Sequence, residues 1–132
     1  MKFVDQISLD VSARSAEGSL FVDPDAEYLN DHFPGRPMLP GLLMLEASVR
    51  TAAALWAAGD PAPAGGAVLD HLERLQVVRR VVPGETLRVH VERLAEAGGD
   101  RTASFTARGA VEGQTAIRAR FRLRDTMQEV TQ

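Results

Sequence analysis

A chain of 132 residues with 45% hydrophobic side chains suits one domain with one core. Its formal net charge of -3 is too mild to imply nucleic acid or an anionic membrane surface as partner. Cysteine is absent, which excludes disulfides and thiolate chemistry.

Met1-Lys2-Phe3-Val4-Asp5 lacks the charged-then-apolar layout of a signal peptide. Ile7, Leu9 and Val11 alternate with polar residues, as in a half-buried strand. Ala16-Glu17-Gly18 reads as a turn and Leu20 with Val22 as the return strand of a hairpin, which Asp23-Pro24-Asp25 ends. Residues 23–41 form an irregular segment stiffened by Pro24, Pro34, Pro37 and Pro40. Pro40-Gly41 opens a helix expected over Leu42 to Ala58, about 25 Å long. It is apolar on nearly every face, so it belongs in the middle of something. Glu46 and Arg50 interrupt it, so it is not a membrane span. The Gly59 to Gly66 stretch reads as a loose connector, not a domain boundary, because neither flank could build a core alone.

The remainder reads as strands: Ala67 to Val78, Thr86 to Leu94, Thr102 to Val111 and Thr115 to Leu123. Pro83-Gly84, Gly98-Gly99-Asp100 and Glu112-Gly113 are the expected turns. The resulting fold class is α+β: an antiparallel sheet wrapped round one long central helix. One domain is expected over residues 1–124, with 125–132 a flexible tail. The helix remains partly uncovered, which favours a dimer. A soluble, cytoplasmic protein without nucleic-acid or membrane partners is the expectation.

The chemistry-bearing stretch is His32-Phe33-Pro34-Gly35-Arg36-Pro37-Met38-Leu39-Pro40-Gly41, followed by Leu42-Leu43-Met44-Leu45-Glu46. A carboxylate in a greasy helix is costly unless it has a task. Removing water from a 3-hydroxyacyl thioester needs a base, an acid and a donor for the growing oxyanion. His32 can be the base, because its side chain titrates near neutrality. Glu46 can be the acid if burial keeps it protonated. The Gly41 amide at the helix start can be the donor. Glu46 follows Gly41 by roughly 7–8 Å along the axis.

This run, with Glu46-Ala47 after it, resembles the FabA/FabZ group of 3-hydroxyacyl-acyl-carrier-protein dehydratases, FabZ above all. Phe3-Val4-Asp5-Gln6-Ile7 resembles the family's first strand. Arg79, Val81-Val82-Pro83-Gly84-Glu85 and Leu87 resemble a later family segment. The resemblance covers roughly residues 3–124. It implies a hot-dog fold and a dimer with each active site at the subunit interface. His32 and Glu46 would come from opposite protomers, with Gly41 supplying the oxyanion amide. The acyl chain would arrive on the phosphopantetheine of an acyl carrier protein, so no metal or redox cofactor is needed. Fatty-acid, polyketide or polyene assembly is the implied setting. A trimer of dimers or a heterodimer with a related subunit also falls within the family's range.

The chain departs from the family pattern at Ala47-Ser48-Val49-Arg50, where Ala-x-Ala-Gln is usual. It also departs at Val77, often Phe, and at Arg80, usually Pro. Arg50 follows Glu46 at i, i+4, the favourable order for an ion pair. Such a pair would weaken the acid, so Arg50 is expected to point away, towards a partner or the pocket mouth. Phe33, Met38, Leu42 and Trp56 are candidates to line an acyl pocket, against the ordinary reading as packing. Arg118, Arg120, Arg122 and Arg124 alternate along the last strand and share one face. That face is either a solvated exterior or a docking patch for an acidic carrier. His71 and His90 are expected on polar strand faces, and the three histidines lack metal-ligand spacing. Two other readings remain. One is a hot-dog thioesterase with Glu46 as base or nucleophile. The other is a non-catalytic partner subunit of a dehydratase heterodimer.

Overall fold

The computed structural model describes residues 4–26, 38–95 and 101–127. Six strands and one helix follow in the order β1 (Gln6–Asp10), β2 (Ser15–Phe21), α1 (Gly41–Ala57), β3 (Ala67–Val77), β4 (Thr86–Arg93), β5 (Thr102–Val111) and β6 (Gln114–Asp125). They form a single antiparallel sheet ordered β1-β2-β4-β5-β6-β3, with β1 and β3 at its edges. The helix packs on the inner face of that sheet. This is the hot-dog arrangement that the resemblance implies. The helix of the described residues is not long and apolar enough to cross a membrane.

The core follows from strand alternation meeting one helix. Leu87, Val89 and Val91 of β4 and Phe105 of β5 point inward, as do Ile117, Phe121 and Leu123 of β6. Phe105 and Phe121 sit opposite each other in register with ring centroids 6.0 Å apart. Met44, Ala47, Ala52, Leu55 and Trp56 of α1 cover them. Apolar burial of this kind contributes roughly 25 cal/mol per Å².

Gly18 corrects the first hairpin. Ala16-Glu17-Gly18 lies inside β2, and the turn falls at residues 11–14 instead. There Asp10 Oδ1 accepts from Ala13 N at 3.1 Å and from Ser12 Oγ at 3.0 Å, and Arg14 takes φ 56°. An Asx-type turn can do this without glycine. Gly18 serves packing instead: a Cβ there would lie 2.3 Å from Thr51 Oγ1 on α1.

The second correction is at the chain's end. β6 runs through Asp125, which is buried. Its carboxylate accepts from Ala64 N at 2.7 Å, Gly65 N at 3.0 Å and Met127 N at 2.9 Å. The 59–66 connector is thereby fastened to the last strand. These amides, Met127 foremost, hold Asp125 below the usual aspartate value, against the opposing effect of desolvation.

β3 is exposed along nearly its whole length. Its pairing with β6 slips twice, between Leu69 and His71 and between Leu72 and Arg74. Asp70 and Glu73 are the additional residues at these two bulges. Leu69, Leu72, Leu75 and Val77 consequently face the same side as the buried Leu123, Phe121, Ala119 and Ile117 opposite them. Val68, His71, Arg74 and Gln76 lie opposite Arg124, Arg122, Arg120 and Arg118 on the outer face. The inward leucines remain more than a third exposed, because the helix does not reach over the edge.

Candidate active site

Pro40 is the residue before α1, with φ -59° and ψ 142°, and among the described residues no side chain caps the helix start. The Pro40 carbonyl accepts from Leu43 N at 3.0 Å and Met44 N at 3.2 Å. The amides of Gly41 and Leu42 have no carbonyl within the helix to donate to. No acidic side chain occupies the first turn, so the positive end of the helix dipole is unopposed within it. Leu39 N donates to Val81 O at 2.7 Å, which fixes the chain just before the helix. A Cβ at Gly41 would come within 3.1 Å of Val77 Cγ2 on β3, a tight approach that Val77 would have to yield to by a few tenths of an ångström.

Glu46 lies on the stripe of α1 that the sheet leaves uncovered. Leu42, 73% exposed, precedes it by one turn, and Arg50 follows by one turn. The Glu46 side chain is 37% exposed, so within one chain this carboxylate is not buried as its greasy sequence context suggests. Arg50 also departs from expectation. Its Nε donates to Glu46 Oε1 at 2.7 Å, where a side chain pointing away was expected. The cause is local: the i, i+4 spacing in this order brings both groups together on an uncovered helix face.

His32 and Phe33 lie outside the described residues. Met38 is half-buried just before the helix. Trp56 is fully buried in the core near the other end of α1, about 22 Å from Gly41 along the axis. Its indole Nε1 has no hydrogen-bond partner among the described residues.

A support that spacing alone did not reveal lies behind the helix start. Arg79 grips Glu85 with two bonds, Nη1 to Oε1 at 3.1 Å and Nη2 to Oε2 at 2.8 Å. Glu85 Oε1 also accepts from Val82 N at 2.9 Å. The bonds from Arg79 and then from the Val82 amide hold Glu85 below the usual glutamate value, while Glu85 raises the Arg79 guanidinium. This clamp closes the turn at Gly84, whose φ is 90°, and steadies Val81, the acceptor for Leu39. The Arg and Glu were visible in sequence as a family-like segment, but their contact was not.

The Arg ladder of β6 occupies the outer face, across the sheet from α1. Arg120 Nε meets Glu73 at 2.5 Å, Arg122 Nε meets Asp70 at 2.8 Å, and Arg124 Nε meets Asp70 at 3.7 Å. Arg118 stands opposite Arg108 of β5. His71 and His90 lie on this polar face, as expected, and His90 Nε2 sits 3.1 Å from Glu92 Oε1. Among the described residues no cluster of His, Asp and Glu could hold a metal ion.

The profile of the ApeI-like family, described as ApeI dehydratase, matches residues 8–119. The 3-hydroxyacyl-acyl-carrier-protein dehydratase FabZ of Janthinobacterium sp. (strain Marseille) is 34% identical over 119 residues, covering 88% of this chain and 75% of that protein. FabZ of Ruegeria sp. (strain TM1040) is 29% identical over 110 residues, covering 82% and 69%. Among solved structures, the dehydratase heterocomplex ApeI:P from Xenorhabdus doucetiae matches with a TM-score of 0.63 and 22% identity, over 85% of this chain and 88% of that one. At that identity the structural likeness speaks for the fold.

Proposed function

The chain belongs to the ApeI-like dehydratase family, and from that membership we propose that it removes water from 3-hydroxyacyl thioesters carried on an acyl carrier protein. The product is the trans-2-enoyl thioester. The observation that carries this reading is the start of α1 at Gly41, one turn and a half before Glu46, on a face that no other element among the described residues covers.

The roles follow from those positions. The thioester oxygen lies at the helix start, where the Gly41 amide and the dipole stabilise negative charge as the α-proton leaves. His32 takes that proton. Glu46 delivers a proton to the departing hydroxyl. Arg50 holds Oε1, so the delivered proton travels on the other oxygen or Arg50 lets go first. Leu42, beside the helix start, offers apolar surface to the acyl chain. A second subunit over the uncovered stripe supplies the missing wall and shields the site from water.

A second reading is a partner subunit that docks beside an active dehydratase. The Arg50–Glu46 pair favours it, since it engages the acid, and the ApeI:P structure is itself a heterocomplex. One experiment separates them. The purified chain is incubated with a 3-hydroxyacyl carrier protein and products are followed by mass. Loss of water supports the dehydratase, free acid supports a thioesterase, and no change supports the partner subunit. His32→Ala and Glu46→Gln variants that remain fully active would refute the assigned roles.

A further inference from the structure

The outer face of the sheet carries a hollow that the proposed reaction does not use. Its volume is about 360 Å³, and Arg74, Arg108, Arg118 and Arg120 line it together with Thr106 and His90. That size falls within the range of roughly 300–1,000 Å³ typical of small-molecule sites. The arginines come from three adjacent strands. Arg118 and Arg120 are two residues apart on β6 and so share its outer face. Arg108 of β5 stands directly opposite Arg118, and Arg74 of β3 directly opposite Arg120. Cross-strand neighbours lie about 5 Å apart, and like charges so placed repel.

The carboxylates nearby answer only part of this charge. Glu73 pairs with Arg120 at 2.5 Å. Glu92, also on the wall, sits 3.1 Å from His90 Nε2, and Glu17 lies 3.5 Å from His90 Nδ1. Arg108 donates to neutral acceptors, Thr115 Oγ1 at 2.7 Å and Gly113 O at 3.0 Å. Among the described residues neither Arg74 nor Arg118 makes an ion pair. Three guanidinium groups, those of Arg74, Arg108 and Arg118, thus line one hollow without a carboxylate partner. Arg122 and Arg124 lie outside it and share Asp70.

From this we infer that the hollow is a binding site for a small phosphorylated molecule carrying at least two negative charges. Guanidinium groups meet phosphate oxygens two bonds at a time. A dianion matches the unpaired positive charge better than a single carboxylate does, and Thr106 adds a hydroxyl to the wall. Binding relieves the repulsion between facing arginines as well as forming new bonds. The concave shape suits a small ligand better than the surface of an acidic protein. The site lies across the sheet from α1 and does not depend on the proposed reaction.

The probe is inorganic pyrophosphate added to the full chain, with sodium chloride at matched ionic strength as the reference. Pyrophosphate at a hundred times its Kd should raise the melting temperature by about 5 °C or more, and chloride should not. By calorimetry, Arg74→Gln and Arg118→Gln should each weaken pyrophosphate binding by about tenfold. Arg88→Gln, at an exposed arginine of β4 outside the hollow, should leave binding unchanged. A second measurement separates lost binding from lost folding. At low salt without pyrophosphate, Arg118→Gln should melt ~1–2 °C above the wild type, because Arg108 loses its like-charged neighbour. At saturating pyrophosphate the order should reverse. A chain stabilised no more by pyrophosphate than by chloride would overturn the site. So would binding undiminished in the Arg74→Gln, Arg118→Gln double variant, or binding that falls equally in Arg88→Gln. Carrier protein that binds through Arg74 and Arg118, with no response to pyrophosphate, would make the face a protein-docking surface instead.

Discussion

Arg50 Nε donates to Glu46 Oε1 at 2.7 Å on the stripe of α1 that the sheet does not cover. The pair is half open to solvent, so its contribution to stability is small, under about 0.5 kcal/mol. Its consequence is chemical. Glu46→Gln should lower turnover by about 100-fold or more, with thermal stability unchanged. Arg50→Gln should raise turnover at saturating substrate, because it frees the acid. A tenfold fall for Arg50→Gln would instead place Arg50 within the machinery.

Gly18 and Thr51 meet where β2 crosses α1. Thr51 Oγ1 donates to Ala47 O at 2.8 Å and would sit 2.3 Å from a Cβ at Gly18. Rotating the hydroxyl away sacrifices that bond. Gly18→Ala should destabilise by about 1–3 kcal/mol, read from urea unfolding. Adding Thr51→Ala should recover much of the loss, because the Thr51 Cβ itself would be at an ordinary 3.4 Å. A double variant no more stable than Gly18→Ala would show the contact is not the cause.

Acid should release the Arg79–Glu85 clamp. Glu85 lies below its ordinary value of 4.5 in the folded chain, so its contribution is complete above that pH. It is lost as pH falls through the lower folded value. Asp125 behaves likewise from its ordinary 3.8. The urea midpoint of the wild type should fall below about pH 4.5. Glu85→Gln should be less stable at neutral pH, and its difference from the wild type should shrink in acid. A difference constant from pH 7 to pH 3 would contradict the clamp.

Asp70 and Glu73, two carboxylates, already engage three members of the outer Arg ladder, Arg120, Arg122 and Arg124. Arg120→Glu with Arg122→Glu should cost about 1 kcal/mol through like-charge contact. The KM for carrier-bound substrate should change less than about threefold. A larger rise that deepens with added salt would assign carrier docking to this face.

The helix and the β5–β6 hairpin were legible because each repeats one period without interruption. The φ values of 48° and 81° at Glu112 and Gly113 match the tight turn their sequence announces. Gly18 misled because a glycine in a strand looks like a turn until the helix hydroxyl opposite it is known. β3 was located correctly, but its faces were hidden. Two bulges space Leu69, Leu72 and Leu75 three apart, a spacing that alternation does not predict. Asp125 looked like the start of a polar tail because its acceptors' partners lie in a distant connector. For the candidate site, residue type and spacing single out Glu46 and Gly41 as candidates, and both lie on α1. The Arg50 contact turned on a rotamer, which sequence does not specify.

The fastening of β3 at its two ends has a consequence for the freedom of its exposed edge. At one end, Thr126 N donates to Gly66 O at 2.8 Å, and Asp125 secures the preceding connector. At the other, Val78 N donates to Ala116 O at 2.7 Å. The strand between is open to solvent and held at both ends by hydrogen bonds of its own chain. A segment held in this way has little conformational entropy left to lose.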